Sequence, residues 1–380
     1  MKKEIKNILF SLVESVFIAG FVVILALPFS CTLTEAGIQI IGGDYTAPVL
    51  EKLTVVDNKT LQFDFSEPVK LSSLIVSPFI PGISDSSKVS YVETLAPSLA
   101  AAAGEYGRIE ATVQSTEAGK SFTVLMAQET VIGKAYEVYG VVEDEIGNSL
   151  TFCLPFTGYN SQLPRIIITE LQIKYGKGSS NGETLYRAEY AEFLALEDGN
   201  LAGLVLESAA DGHGKDYEFP AIDVKKGEVF LVHFRTVGEG CINEIEEDLD
   251  LATAPHSANS IRDLWSENTT ARFNDSSDVI ILRDTVNDIV MDALMYAALD
   301  AEEWKSTVAE AAIEAAESGI YSASEISSAT CSKGLTTLKS LTRIDSEEIL
   351  ELVSSGPDYD FPFMVDESTW TISSCSPGRL

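Results

Sequence analysis

The sequence predicts an all-β protein: two β-sandwiches in tandem, the second with a helical insertion, behind an N-terminal export signal. Three observations carry this. Short apolar runs with period-two alternation recur along most of the chain, bounded by Gly, Pro, Asn and Asp. Helical spacing is confined to the C-terminal third. An apolar stretch too short to span a bilayer follows a cluster of lysines at the start.

Residues 1–30 read as a signal peptide. Lys2, Lys3 and Lys6 form its positive end, and Ile8 to Leu27 is apolar apart from Glu14. The core from Val16 to Leu27 suits a cleaved signal, because a spanning helix needs about 20 residues. Ser30 then precedes Cys31. This arrangement resembles a bacterial lipoprotein signal, in which a small residue stands before a cysteine that is acylated on sulfur. Leu27 lies four positions before Cys31, so the match is to a relaxed form of the motif. The resemblance implies lipidation of Cys31 and attachment to a membrane. An ordinary secretory signal with a chance cysteine is the alternative.

Residues 31–46 are a polar, Gly-containing tether. Residues 47–157 read as one β-domain. Leu61, Phe63 and Phe65 alternate with Gln62 and Asp64, the pattern of a half-buried strand. Further strands are expected at 50–56, 108–113, 122–126, 135–142 and 149–156. Turn chemistry lies at Asp57–Lys59 and Glu145–Asn148. The stretch from Ser84 to Tyr106 is richer in Ser, Ala and Pro and reads as a loop insertion. The segments Ala47–Leu50, Val55–Thr60, Phe65–Val69, Tyr136–Val138 and Val142–Leu150 together resemble the bacterial Ig-like domains of surface-layer and adhesion proteins. An Ig-like sandwich is therefore expected here.

A linker is expected at 158–163, in a stretch rich in Pro, Gly, Asn and Ser. Residues 164–380 form the second unit. Strands are expected at 165–171, 190–196, 201–206, 216–220, 227–232, 278–282 and 288–296. In this order, Ile168–Glu170, Glu189–Leu196, Asn200–Leu206, Phe219–Pro220, Lys226–Val232, Asp278–Tyr296, Ser340–Arg343, Trp370 and Ser376–Gly378 resemble the lamin-tail domain. Leu204 stands where that family usually has Trp. The resemblance implies a second Ig-like sandwich. It carries no nuclear role across, because heptads and a basic run are both missing.

Two insertions depart from that pattern. Residues 237–270 form a long acidic excursion. Residues 300–331 read as helical, with capping boxes at Asp300/Glu303 and Ser322/Glu325. Trp304, Val308, Ala311 and Ala315 recur at helical spacing, and Gly319 closes the run. A third capping box, Asp345/Glu348, opens a helix that ends at Gly356-Pro357. The insertions read equally as cover for the sandwich or as a partner-binding face.

The charge is −32, from 26 Lys+Arg against 58 Asp+Glu. Nucleic-acid binding requires positive charge along a polyanion, so no nucleic-acid partner is expected. The acidity reads first as solubility. Four cysteines follow Cys31. None shows CxxC spacing, so zinc ribbons and thioredoxin-type chemistry are disfavoured. Cys331 and Cys375 could pair, with free buried thiols as the alternative.

Catalytic patterns are missing: no HExxH, Walker A, GxGxxG or GxSxG stands in the sequence. His233 falls on a strand and reads as structural. His213 sits in a turn cluster, and His256 reads as part of a solvated loop. Asp144 and Asn148 could offer calcium oxygens but read first as turn formers. The run Glu244, Glu246, Glu247, Asp248 and Asp250 reads as solvated, with weak calcium binding by Glu246, Asp248 and Asp250 behind it. Asp284, Asn287, Asp288 and Asp292 read as turn and strand-edge positions. No cofactor is expected, calcium aside. The expected function is a non-catalytic binding or structural module held to the bacterial cell envelope by a lipid, recognising an unknown protein or glycan. The alternatives are a calcium-stabilised adhesin and a metal-dependent hydrolase using the carboxylates of 239–250.

Overall fold

The computed structural model describes residues 31–34, 37–40, 46–79, 109–116, 118–180, 182–210, 216–356 and 359–380. The expected signal peptide, most of the expected tether, the stretch from Ser84 to Tyr106 and His213 lie outside the described residues. The chain divides into two compact units, Met1–Thr130 with Ala135–Thr157, and Val131–Lys134 with Gly158–Leu380. Strands dominate both, so the protein is all-β. Among the described residues no helix is long and apolar enough to cross a membrane.

In the first unit, β1 (Cys31–Thr34) and β2 (Gly37–Ile40) pair as an antiparallel hairpin. A four-stranded sheet then has the order β3 (Leu50–Val55), β4 (Thr60–Phe65), β7 (Ser121–Met126), β6 (Ala111–Ser115). A three-stranded sheet joins β5 (Lys70–Pro78), β8 (Ala135–Glu143) and β9 (Ser149–Thr157). The alternation in β4 does what its sequence requires: Leu61, Phe63 and Phe65 are buried. They share one core with Val138, Phe152 and Phe156 from the other sheet. Gly140 faces Phe152 across β8 and β9. A Cβ at Gly140 would meet the Phe152 ring at 2.3 Å, so only glycine lets this ring lie flat on the neighbouring strand. β5 has no counterpart among the expected strands. Its burial is irregular, and it carries two serines before its apolar end.

The second unit is larger. Its strands are β10 (Ile166–Gln172), β11 (Gly176–Ser180), β12 (Glu183–Arg187), β13 (Tyr190–Ala195), β14 (Gly199–Asn200), β15 (Leu204–Ser208), β16 (Tyr217–Glu218), β17 (Asp223–Val224) and β18 (Val229–His233). After these come β19 (Arg262–Trp265), β20 (Asp278–Asp284), β21 (Ile289–Ala297), β22 (Thr330–Cys331), β23 (Lys339–Arg343) and β24 (Trp370–Ser374). Two helices interrupt them, α1 (Ser306–Glu317) and α2 (Ser346–Ser355). A six-stranded sheet has the order β19-β18-β13-β10-β23-β24, and a five-stranded sheet the order β16-β15-β20-β21-β22. Both contribute to one core: Ile166, Ile168, Phe193 and Phe230 from the first meet Leu206, Leu282 and Tyr296 from the second. Each such side chain contributes ~1.5–3 kcal/mol on burial.

Both expected insertions have a topological cause. β18 and β19 run parallel, as do β21 and β22. A parallel pair cannot be closed by a tight turn and needs a crossover of roughly a dozen residues or more. The acidic excursion is the first crossover, and the segment holding α1 is the second. Helix α1 lays Val308, Ala312 and Ala315 against Val279, Ile281 and Met295, the face of the five-stranded sheet opposite the shared core. Helix α2 lays Ile349 and Val353 on Ile167, Leu194 and Leu196 of the six-stranded sheet. Each helix thus packs one face onto a sheet.

Several expectations are corrected. Within 300–331 the α-helix is confined to Ser306–Glu317, followed by a short 3-10 turn at Ile326–Ser328 and by β22. Neither capping box there forms: the residues before the two helical segments are Lys305 and Glu325, and neither caps through its side chain. Helix α2 does begin after Asp345. The Asp345 carboxylate, however, accepts from Arg343 Nε at 2.8 Å instead of capping the helix. Residues 158–163 belong to the second unit. Asn160 is buried, and its Nδ2 donates to the carbonyls of Asn200 and Ala202 at 2.6 and 2.8 Å. Cys331 and Cys375 are free thiols. Cys331 lies on an edge strand of the five-stranded sheet, while Cys375 follows an edge strand of the six-stranded sheet.

Candidate functional site

Alternation along β13 sends Ala191, Phe193 and Ala195 into the shared core. Tyr190, Glu192 and Leu194 therefore stand on the other face of the six-stranded sheet. Polar side chains from neighbouring strands join them there: Glu170 from β10, His233 from β18 and Asp263 from β19. All four groups, Glu170, Glu192, His233 and Asp263, are almost fully buried. Buried polar groups must find partners or cost stability, and the C-terminal tail and the acidic excursion supply them.

The tail serves the glutamates. Glu170 and Glu192 are register partners on β10 and β13. Glu170 Oε1 accepts from the Tyr190 hydroxyl at 2.7 Å and from Ser376 N–H at 3.1 Å, and the Ser340 hydroxyl also donates to it. Glu192 accepts from Thr169 Oγ1 at 2.8 Å and from Gly378 N–H at 2.6 Å. Burial pushes the Glu192 carboxyl up to about 8, and the neighbouring Glu170 charge adds to the effect. Burial also raises Glu170, against the pull of its hydrogen bonds. These carboxyls sit beneath the Ser376–Gly378 tail and are bonded within the protein, so they fasten it down and present no face to a substrate.

The excursion is fastened in the same way. His233 Nε2 and Asp263 Oδ1 are 2.5 Å apart, and the His233 ring stacks on Trp265 at 4.0 Å. His233 is held inside the protein through one ring nitrogen, while its buried Nδ1 has no partner among the described residues. Asp263 Oδ2 accepts from Ala258 N–H at 3.0 Å. Glu244 does not behave as a solvated acid. It is 1% exposed. One carboxylate oxygen accepts from Leu251 and Ala252 N–H at 2.9 Å each, and the other from Asp263 N–H at 2.8 Å. Arg262 Nη1 donates to the Glu244 and Glu246 carbonyls. His256 is not solvated either: it packs edge-on against Tyr190 at 5.2 Å. Burial and the nearby His233 lower its pKa to about 4.

The other acidic candidates are dispersed. Glu246, Asp248 and Asp250 are exposed. Asp248 accepts from Asp250 N–H, and Asp250 from Ser260 N–H. In the first unit, Asp144 Oδ1 accepts from Ile146, Gly147 and Asn148 N–H, and Oδ2 from Asn148 Nδ2. These bonds make Asp144 and Asn148 a turn. Among the described residues no group of three or more His, Cys, Asp or Glu is placed to hold a metal ion. Asp284 and Asn287 also close a turn. Asp292 is different. It is fully buried and pairs with Arg343 Nη1 at 3.1 Å, while accepting from Ile168 N–H at 2.8 Å. Sequence reasoning quoted both residues, but nothing in their spacing showed that they meet.

An open cleft lies beside the excursion. It has a volume of about 630 Å³ and is lined by Tyr217, Glu218, Ile245, Trp265, Ser266 and Glu267 among others. The residues named come from β16, from the excursion, from the end of β19 and from the segment after it.

The fold and these sites define a two-unit, all-β protein whose second unit carries two crossovers and a fastened C-terminal tail. Residues 164–372 match the family TP_1001_2nd, described as a protein second domain. That span covers more than half of the chain, and the chain belongs to this family. An uncharacterized protein of Treponema pallidum (strain Nichols) is 28% identical over 176 residues, 46% of this chain and 42% of that relative. The chain thus spans less than half of the relative's length. Among solved structures, the N-terminal part of the bacterial S-layer protein SbsC matches at 14% identity over 40% of this chain and 41% of that one, with a TM-score of 0.22. A DUF4876 family protein from Bacteroides thetaiotaomicron VPI-5482 matches at 11% identity over 86% and 90%, with a TM-score of 0.27. At these scores neither superposition carries a fold or a function across.

Proposed function

We propose that this chain is an exported, lipid-anchored, non-catalytic binding module of the bacterial cell envelope, made of two Ig-like sandwiches. In this reading the first unit is a bacterial Ig-like domain, the second a lamin-tail domain, and Cys31 carries the lipid. The order of motifs in both units supports the domain reading, and the apolar stretch before Ser30-Cys31 supports the anchor.

One observation carries the binding role. The excursion is built on buried Glu244, Asp263 and Arg262, yet it turns Ile242, Ile245 and Leu251 to solvent, at 44%, 55% and 41% exposure. A loop this firmly held, with apolar side chains outward, is pre-organised for a partner, which lowers the ordering cost of binding. Rigid scaffolds commonly place recognition on such decorations.

The test has two parts. Mass spectrometry of the mature protein is expected to show an acylated N-terminus at Cys31, and Cys31→Ser is expected to release the chain from the membrane fraction. An unmodified N-terminus at Met1 ends the anchor reading. Pull-down with the mature protein is expected to capture a partner that Ile245→Ser loses.

A further inference from the structure

We infer that the cleft between β16 and the acidic excursion is a binding site for an extended polypeptide segment that alternates basic and apolar side chains. The inference rests on reading the second unit as a binding module and names the chemistry of its partner.

Three features of the cleft carry it. The first is charge. Glu218 and Glu267 stand exposed at its rim, and neither makes an ion pair among the described residues. The cation in the cleft wall is Arg272, whose side chain is 2% exposed and already paired with Asp216 at 3.2 Å. The field at the mouth is therefore negative, and it selects a cationic ligand. Glu246, Glu247, Asp248 and Asp250 extend the same sign along the neighbouring loop.

The second feature is apolar surface. Ile245 lines the cleft and is 55% exposed. The loop continues with exposed Ile242 and Leu251. Apolar side chains set among acids fit a ligand that is neither purely charged nor purely greasy. A simple polyamine would leave this surface in water.

The third feature is an unmet hydrogen bond. Trp265 lines the cleft and is 4% exposed, and its indole N–H has no partner among the described residues. The buried Ser266 hydroxyl is unpaired as well. A buried donor left unmatched is costly, so such groups call for an explanation. Both atoms are enclosed in the cleft wall, and a peptide backbone, with a carbonyl acceptor and an N–H donor, is the ligand that can satisfy both when it is seated there. A glycan hydroxyl could do the same, but it would leave Glu218 and Glu267 without a counter-charge. The three features together favour a basic polypeptide.

The experiment titrates the ¹⁵N-labelled mature chain, residues 31–380, with the capped peptide Lys-Leu-Lys-Ser-Lys-Leu-Lys-Ser. A peptide with Glu for Lys, and one with Ser for Leu, serve as controls. The expected result is saturable binding that weakens with salt, moves the Trp265 indole signal and is lost with either control. The Glu218→Gln/Glu267→Gln variant is expected to bind on the order of tenfold more weakly. Glu317→Gln/Glu351→Gln removes two exposed charges elsewhere in the same unit and is expected to bind as the parent does. Equal weakening in both variants would mean that only net charge matters and would overturn the inference. So would an unmoved Trp265 signal or equal affinity for the Glu peptide. Membrane fractionation of the full chain, expressed with residues 1–30, reads the anchor separately, so failure here and failure of the envelope reading give different results.

Discussion

Glu170 and Glu192 face one another across adjacent strands, and each holds one backbone N–H of the C-terminal tail, Ser376 for the first and Gly378 for the second. The pair converts two buried acids into a clasp. It also sets a pH dependence.

Burial raises the Glu192 carboxyl from its ordinary value to about 8. A raised folded-state pKa means that the folded protein holds this proton more tightly than the unfolded chain. The associated stability is complete below the unfolded value of about 4.5. It is lost as pH rises through about 8. Urea midpoints measured from pH 5 to 9 are expected to fall up to about pH 8 and to level off above it. Glu192→Gln mimics the protonated acid: its oxygen can accept from Gly378 and its amide can donate to Thr169. It is expected to match the parent near pH 5 and to exceed it at pH 9. A parent midpoint that rises with pH would refute the clasp chemistry.

Asp292 and Arg343 form a deeply buried ion pair, with side-chain exposures of 1% and 0%. Removing Asp292 leaves the buried Arg343 guanidinium with Asp345 as its one remaining carboxylate, and leaves Ile168 N–H without its acceptor. Asp292→Ala is expected to cost ~3–5 kcal/mol in chemical denaturation. A loss below about 1 kcal/mol would show that the pair is solvated in solution.

Glu244 satisfies three backbone N–H groups of the excursion and its return strand. Glu244→Ala leaves those donors buried and unmatched, at a cost of ~1–3 kcal/mol each where water cannot reach them. The expected outcome is rapid protease cleavage between Ile245 and Ala252, with the rest of the second unit intact. Wild-type resistance in the variant would show that Arg262 alone holds the loop.

Arg283 ties β20 to α1. It donates to Glu207 at 2.8 and 3.0 Å and to Glu314 at 2.8 and 3.0 Å. Bidentate geometry of this kind needs a guanidinium. Arg283→Lys is expected to raise amide exchange throughout Ser306–Glu317 while leaving the core strands protected. Unchanged exchange in α1 would assign its docking to Val308, Ala312 and Ala315 alone.

Much of this was legible beforehand because strand burial is local. Leu61, Phe63 and Phe65 alternate in sequence and therefore share a face in space, whatever surrounds them. The apolar runs of β10, β13 and β18 are legible for a similar reason: both faces of that sheet are covered. The start of α1 was misread because Asp300 and Glu303 have the capping-box spacing, yet the helix begins only after Lys305; the start of α2 after Asp345 was legible. β5 escaped notice because its serines broke the period.

The sequence by itself determined the all-β class, most strand positions, and the presence of two long insertions. These follow from side-chain periodicity and turn residues, which act over a few positions. Only the tertiary structure decided what the insertions are for. Each is the crossover that a parallel edge strand demands, and that demand arises from pairing between segments far apart in the chain. The same holds for Glu170, Glu192, Glu244 and Asp292. A carboxylate in a sequence looks solvated, because water is its default partner. It becomes a clasp or a buried counter-ion only when a sheet brings distant N–H groups or an arginine to it and removes the water.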